Sequence, residues 1–235
     1  MLFIISILFV LILSVLLHKQ IKKHANVFNF ITILISISFI ILPQMKLDAY
    51  IPEVIDKYFI SIFSRGAVST AAFTLVMYAG ALNRRLSITK TLMSIRAELS
   101  IMACILTLGH NILFGMIFFP KLFLDPGSMQ PLKLIATILT LIMICIMLPL
   151  MITSFTSVRK RMSYKNWKNL QRLSYLFYGL IYVHIACLFI PKIQKGKFLD
   201  ITIYTVIFLA YAVLRIYKYS VDTKKKQNTK IKLHA

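Results

Sequence analysis

Long apolar stretches separated by short polar segments run through the whole chain. They lie at about 2–17, 27–43, 58–81, 97–118, 134–155, 173–190 and 200–217. Most approach the ~20 residues a helix needs to cross ~30 Å of hydrocarbon. The pattern predicts an all-α, polytopic integral membrane bundle of about seven transmembrane helices, with the lipid bilayer as its main surroundings. The first stretch is short for a span and has the length of a signal-peptide core. No basic segment precedes it, however, and no A-x-A-like site follows; Lys19, Lys22 and Lys23 come after it. It is read as a true first helix with its N-terminus outside.

Composition narrows the class. The chain has 235 residues, is 59% hydrophobic and only 15% charged, which leaves no room for a soluble catalytic domain. The net charge of +21 would suggest nucleic acid if it were spread evenly. Instead 20 of the 28 basic residues fall in alternate connections. These are Lys19–Lys23, Arg84–Arg96, Arg159–Arg172 and the segment from Arg215 onward, whereas five of the seven acids fall on the other side. The positive-inside rule places the basic side and the C-terminus in the cytoplasm. The charge therefore reads as topology and attraction to anionic lipid, with no nucleic-acid partner. Lys-, Ile- and Asn-rich usage points to a bacterial inner membrane. The Lys-, Asn- and Thr-rich tail after Tyr219 is expected to be disordered or to lie on the membrane.

Chemistry must come from the few polar groups inside the spans. No CxxC or CxxCH motif and no Gly-rich phosphate loop is present, which argues against covalent haem attachment and thiolate metal sites. Cys104, Cys145 and Cys187 read as small buried hydrophobes. Of the five histidines, His18 and His24 flank the first basic turn and His234 is near the C-terminus; all three are expected in solvent. His110 and His184 are deep. They are the fourteenth residue after Arg96 and the twelfth after Arg172, on helices that run in the same direction. At 1.5 Å per residue both lie roughly 18–21 Å from the basic edge, in the outer half of the bilayer.

A lone buried histidine is usually a hydrogen-bonding core residue. Two at one depth on two helices fit an axially ligated haem. Arg65, seven residues into the third stretch from Tyr58, lies about 10 Å from the outer face. It is a partner for a haem propionate or a side chain that snorkels to the outer headgroups. Gly109, Gly115 and Gly179 are expected either to admit a flat macrocycle or to serve as small-residue helix contacts.

The stretch TSFTSVRKRMSYKNWKNLQRLSYLFYGLIYVH, ending at His184, resembles the signature of the ferric-reductase-like transmembrane domain. The spacing of Trp167, Leu170, Arg172, Leu173, Tyr175 and His184 carries the resemblance. SRGAVSTAAFTLVMYAGALNRR and SIRAELSIMACILTLGH are similar to two further helices of that family. Together they cover about residues 60–190, and the nearest subtype is the MsrQ-type haem-binding membrane subunit. The resemblance implies a 1–57 N-terminal two-helix segment, a 58–190 core, a 191–219 C-terminal helix and a 220–235 basic tail.

It also implies a membrane b-type cytochrome and oxidoreductase component. Electrons would enter from a quinol or flavin donor, with quinone or FMN as a further cofactor. They would leave to an extracytoplasmic redox partner protein, so no residue of this chain is catalytic. Two-haem members carry a second, inner histidine pair. Here the inner positions hold Gln171 and, on the other helix, Arg96 and Ala97, so the resemblance implies one b-type haem, with iron held by His110 and His184 and Arg65 beside it. Two rivals stand beside this reading. One is a cofactor-free transporter or channel using Arg65, Glu98 and the histidines, for which the sequence shows no broken helix pair or inverted repeat. The other is a non-redox assembly subunit.

The charge distribution makes a first prediction. A reporter fused after His234 reports a cytoplasmic location, and a cysteine placed at Ser128 is labelled by an impermeant reagent in intact cells. Labelling of that cysteine only after permeabilisation would reverse the orientation.

Overall fold

A computed structural model describes residues 1–45 and 51–234, apart from the side chains of Lys57 and residues 224–234. Lys46 and Asp48 of the expected outer loop, the side chains of His234 and the tail lysines, and Ala235 lie outside that description. The described residues form helices and turns with no strand. In order, the helices are α1 (Leu2–Lys23), α2 (Ala25–Gln44), α3 (Glu53–Ser64), α4 (Ala67–Ala81), α5 (Ser87–Ser94), α6 (Arg96–Leu124), α7 (Pro131–Ile152), α8 (Tyr164–Gln171), α9 (Leu173–Phe189) and α10 (Phe198–His234). Six stretches are long and apolar enough to cross a membrane, α8 and α9 counting together as one, and α3 with α4 makes a seventh, broken span. The all-α bundle expected from the hydrophobic pattern is the observed architecture.

The middle of the bundle is α4. Thirteen of its fifteen residues are buried, among them Ala71, Ala72 and Ala79. Small side chains let several helices approach one backbone closely, which substitutes in lipid for the hydrophobic drive that water supplies. Around α4 stand α1, α6 and α10, and α7 packs between α6 and α9. The first apolar stretch forms a full-length helix within this ring. Phe3 of α1 stacks on Tyr204 of α10 with ring centroids 4.0 Å apart, and Lys22 pairs with Glu98 of α6 at 2.6 Å. Glu98, a candidate ion-path group in the transporter reading, is thus held by a lysine.

Several boundaries differ from the hydrophobic pattern, each for a physical reason. The expected continuous helix at 58–81 is broken at Arg65–Gly66, where Gly66 has φ +74°. That left-handed conformation is easy for glycine and ends the preceding helix. A π-helical turn over Asp56–Ile60 precedes the break. Two amphipathic helices, α5 and α8, occupy basic connections that lack the length of a span. The tail after Tyr219 is not irregular: the backbone of α10 continues as helix to His234. Lys, Gln and Thr in this segment do not stop a helix already nucleated by the span. Cys104 and Cys187 are buried as expected, whereas Cys145 is exposed on the outside of α7.

The glycines separate into contacts and open positions. A Cβ on Gly109 would sit 2.8 Å from Phe39 Cζ and 2.9 Å from Ser36 Cβ, so Gly109 is the seat of α2 on α6. Gly115 faces Phe119 of its own helix, and a Cβ on Gly179 would meet nothing within 4 Å. Gly109→Ala should therefore push α2 away at a cost of about 1–3 kcal/mol, read as a lower thermal midpoint in detergent. Gly179→Ala should leave the midpoint unchanged, and equal midpoints for both variants would overturn the α2–α6 contact.

Candidate functional site

The break in the third span opens the backbone ladder inside the bundle. In a continuous helix the carbonyl of Ser64 would accept from the amide of Val68. With Arg65 and Gly66 turned out of the helix, that carbonyl instead accepts from His110 Nδ1 at 2.7 Å. A carbonyl can only accept, so Nδ1 carries the proton and Nε2 of the neutral ring keeps its lone pair. Gly66 lies directly under the ring, and a Cβ there would be 3.4 Å from Nδ1. Phe114, one turn along α6, packs against the imidazole at 4.9 Å between centroids.

His184 is held in the same way from the other side. Its Nδ1 donates to the carbonyl of Ala136 in α7 at 3.0 Å. The Thr140 hydroxyl shares that carbonyl at 2.9 Å and lies 3.4 Å from the same ring nitrogen. Nε2 of His184 therefore also keeps a free lone pair. Helices α6 and α9, which carry the two histidines, both pack on α7. The opposite flank is α4, reached from α9 by the Tyr178–Thr74 hydrogen bond of 3.1 Å and the Phe73–Phe177 edge contact. The two imidazoles are within electrostatic reach of each other. Both rings are thus fixed through Nδ1 by backbone carbonyls. Second-partner anchoring of Nδ1 is the usual support for a metal-binding histidine.

Arg65 is the residue next to the carbonyl that anchors His110. It is exposed, and none of the ion pairs among the described residues includes it. The structure thus brings His110, His184 and the break carrying Arg65 into one region. His18 is half-exposed and bonds the Val15 carbonyl at 2.8 Å, and His24 is exposed at the α1–α2 turn. Among the described residues no group of three or more His, Cys, Asp or Glu could hold a metal ion. An apolar groove of about 370 Å³ beside Asn111, Gly115 and Ile144 opens between α6 and α7 and is lined by neither histidine.

The inner positions are used differently. Gln171 Nε2 donates to Thr153 Oγ1 at 3.1 Å and to the Leu150 carbonyl at 3.4 Å. Four residues earlier on α8, Trp167 Nε1 donates to the Thr153 carbonyl at 3.1 Å. Together they bind the C-terminal end of α7, where Trp167 supplies a donor to the Thr153 carbonyl and Gln171 joins Ser154 Oγ on the Leu150 carbonyl. The Arg159 guanidinium covers the Trp167 ring at 4.2 Å. Ser64, Gly66, Ala136 and Thr140 were not legible as site residues, since three of the four act through backbone. The one available signal was a glycine after an arginine inside a predicted span.

A family model described as ferric reductase like transmembrane component matches residues 65–182. The match begins at Arg65, includes His110 and stops two residues before His184. A protein of Treponema pallidum (strain Nichols), described only as uncharacterized, is 37% identical over 216 residues, covering 91% of this chain. The chain spans 59% of the length of that relative. No solved structure matches the chain.

Gly66 is the test of this geometry. Gly66→Ala should strain the left-handed turn by roughly 1–2 kcal/mol and crowd His110. A faster reaction of His110 with diethylpyrocarbonate, read by mass spectrometry, is expected. Unchanged reactivity in the variant would separate the break from the histidine.

Proposed function

The chain belongs to the ferric reductase-like transmembrane family, and on that basis we propose that it is a membrane b-type cytochrome with one haem between His110 and His184. The observation that carries this reading is the pair of Nδ1 anchors. Each imidazole donates its single proton to a backbone carbonyl of a neighbouring helix, so two Nε2 lone pairs remain for one iron. A haem with two histidine ligands supplies one-electron transfer and offers no open position to oxygen.

The residues of the chain do the rest. The carbonyls of Ser64 and Ala136 fix ring orientation and keep the histidines neutral donors. Arg65, exposed at the break, is the cation suited to the haem carboxylates. The packed aromatic layer formed by Tyr178, Phe208 and Tyr211, with Tyr178 and Phe208 stacked at 4.2 Å, keeps water out between the site and the basic end. A transporter would need the broken span to bind an ion, but its released carbonyl is taken by His110.

A single haem follows from the inner positions. Gln171 is committed to the end of α7, and an arginine such as Arg96 holds its proton and offers no lone pair. Electrons enter from a quinol or flavin at the basic, cytoplasmic side and leave to an acceptor on the outer side of a bacterial cytoplasmic membrane. Chemistry on the final substrate belongs to a separate partner protein.

Pyridine haemochrome analysis of the purified protein should give close to one haem per chain. His110→Ala or His184→Ala should abolish haem binding, whereas His18→Ala and His24→Ala retain it. Full occupancy in His184→Ala, or a ratio near two in the native protein, would overturn the assignment.

A further inference from the structure

The basic end of the bundle holds a cluster of cations that the haem reading does not use. Arg96 opens α6 and is half-buried, with its guanidinium over the bare face of Gly80: a Cβ there would sit 3.4 Å from Nη2. Arg215 of α10 is also half-buried and lies over the Tyr175 ring at 4.8 Å. Arg84, in the turn after α4, is exposed, and both it and Arg215 are close enough to repel Arg96. Lys218 completes the group and feels all three arginines.

Only Lys218 has an evident structural task. Its Nζ donates to the carbonyls of Gly80 at 2.8 Å and Leu82 at 3.4 Å, closing the C-terminus of α4. That leaves one of its three protons unspent. Arg96 and Arg215 take part in none of the hydrogen bonds or ion pairs among the described residues, the Arg215–Tyr175 ring contact aside. The acids nearby do not neutralise them. Glu98 is paired with Lys22, and Asp222 acts on Lys218 one turn away.

Half-buried guanidinium groups rarely stand without acceptors, and like charges gathered at the edge of a low-dielectric bundle repel one another. The N-terminus of α6, uncapped by any side chain, adds the positive end of a 29-residue helix dipole at the same place.

We propose that Arg96, Arg215 and Arg84 hold a phosphate group at the basic end, supplied by the phosphodiester of an anionic lipid. Planar guanidinium forks bind phosphate oxygens in pairs. The free proton of Lys218 reaches the rim of the same site. The glycine at position 80 leaves room for Arg96 to lie flat against α4 and present its N–H edge. The bound phosphate ties α4, α6 and α10 together at one end, much as the histidine anchors tie α3 to α6 and α7 to α9 nearer the other.

The test uses the full chain purified in detergent, washed with phosphatidylcholine and assayed for retained phosphatidylglycerol by native mass spectrometry. The native protein should retain phosphatidylglycerol and the Arg96→Gln/Arg215→Gln variant should lose it. Lys19→Gln/Lys23→Gln, which removes the same charge elsewhere at the same end, should retain it. Thermal midpoints should rise with phosphatidylglycerol in the native protein and not with phosphatidylcholine. A rise with inorganic phosphate alone, absent in the double variant, supports the phosphate site and assigns its source to solution. If the double variant does not fold, Arg215→Gln alone carries the comparison. Equal retention in native and arginine variants, or equal stabilisation by phosphatidylcholine, overturns the site.

Discussion

A backbone carbonyl released inside hydrocarbon must find a donor, and that requirement organises this molecule. The break at Arg65–Gly66 releases the Ser64 carbonyl in the middle of the bundle, where no water is available to satisfy it. His110 fills the need at 2.7 Å. The same bond fixes the ring tautomer, leaves Nε2 with its lone pair and ties α6 to the broken span. If the span were continuous, Ser64 would be satisfied within its own helix, and His110 would be a buried imidazole with no fixed orientation.

The same economy of donors recurs elsewhere. His184 takes the Ala136 carbonyl, Trp167 and Gln171 take the end of α7, and Lys218 takes the end of α4. In each case a polar side chain reaches a backbone acceptor of a neighbouring helix, and a group left unpaired in lipid would cost several kcal/mol. The side chains of the family resemblance thus divide into two kinds. His110 and His184 have a nitrogen left over after anchoring. Trp167 has its one N–H engaged, and Gln171 spends its amide group on the fold.

Much of this was visible in the chain itself. The spans followed from apolar length and the family from the Trp167–His184 spacing, while His110 and His184 were singled out by counting residues after Arg96 and Arg172. The break was hidden because SRGAVS keeps its hydrophobic neighbours, and a single glycine is common in membrane helices. The anchoring partners were hidden more deeply, because carbonyls carry no residue identity. Of the two roles expected for Gly109 the structure shows the small-residue contact, against Phe39 of α2, which is set by tertiary register between two distant stretches. The continued helix after Tyr219 was missed because composition describes what a segment does alone, whereas this one is seeded by the span before it.

Helix α10 runs from Phe198 to His234 without interruption. At 1.5 Å per residue its 37 residues measure about 55 Å, nearly twice the thickness of the hydrocarbon it crosses. Its C-terminal third therefore projects beyond the hydrocarbon. With no break separating it from the span, that basic end and the Phe208–Tyr211 packing against Tyr178 inside the bundle belong to one continuous helix.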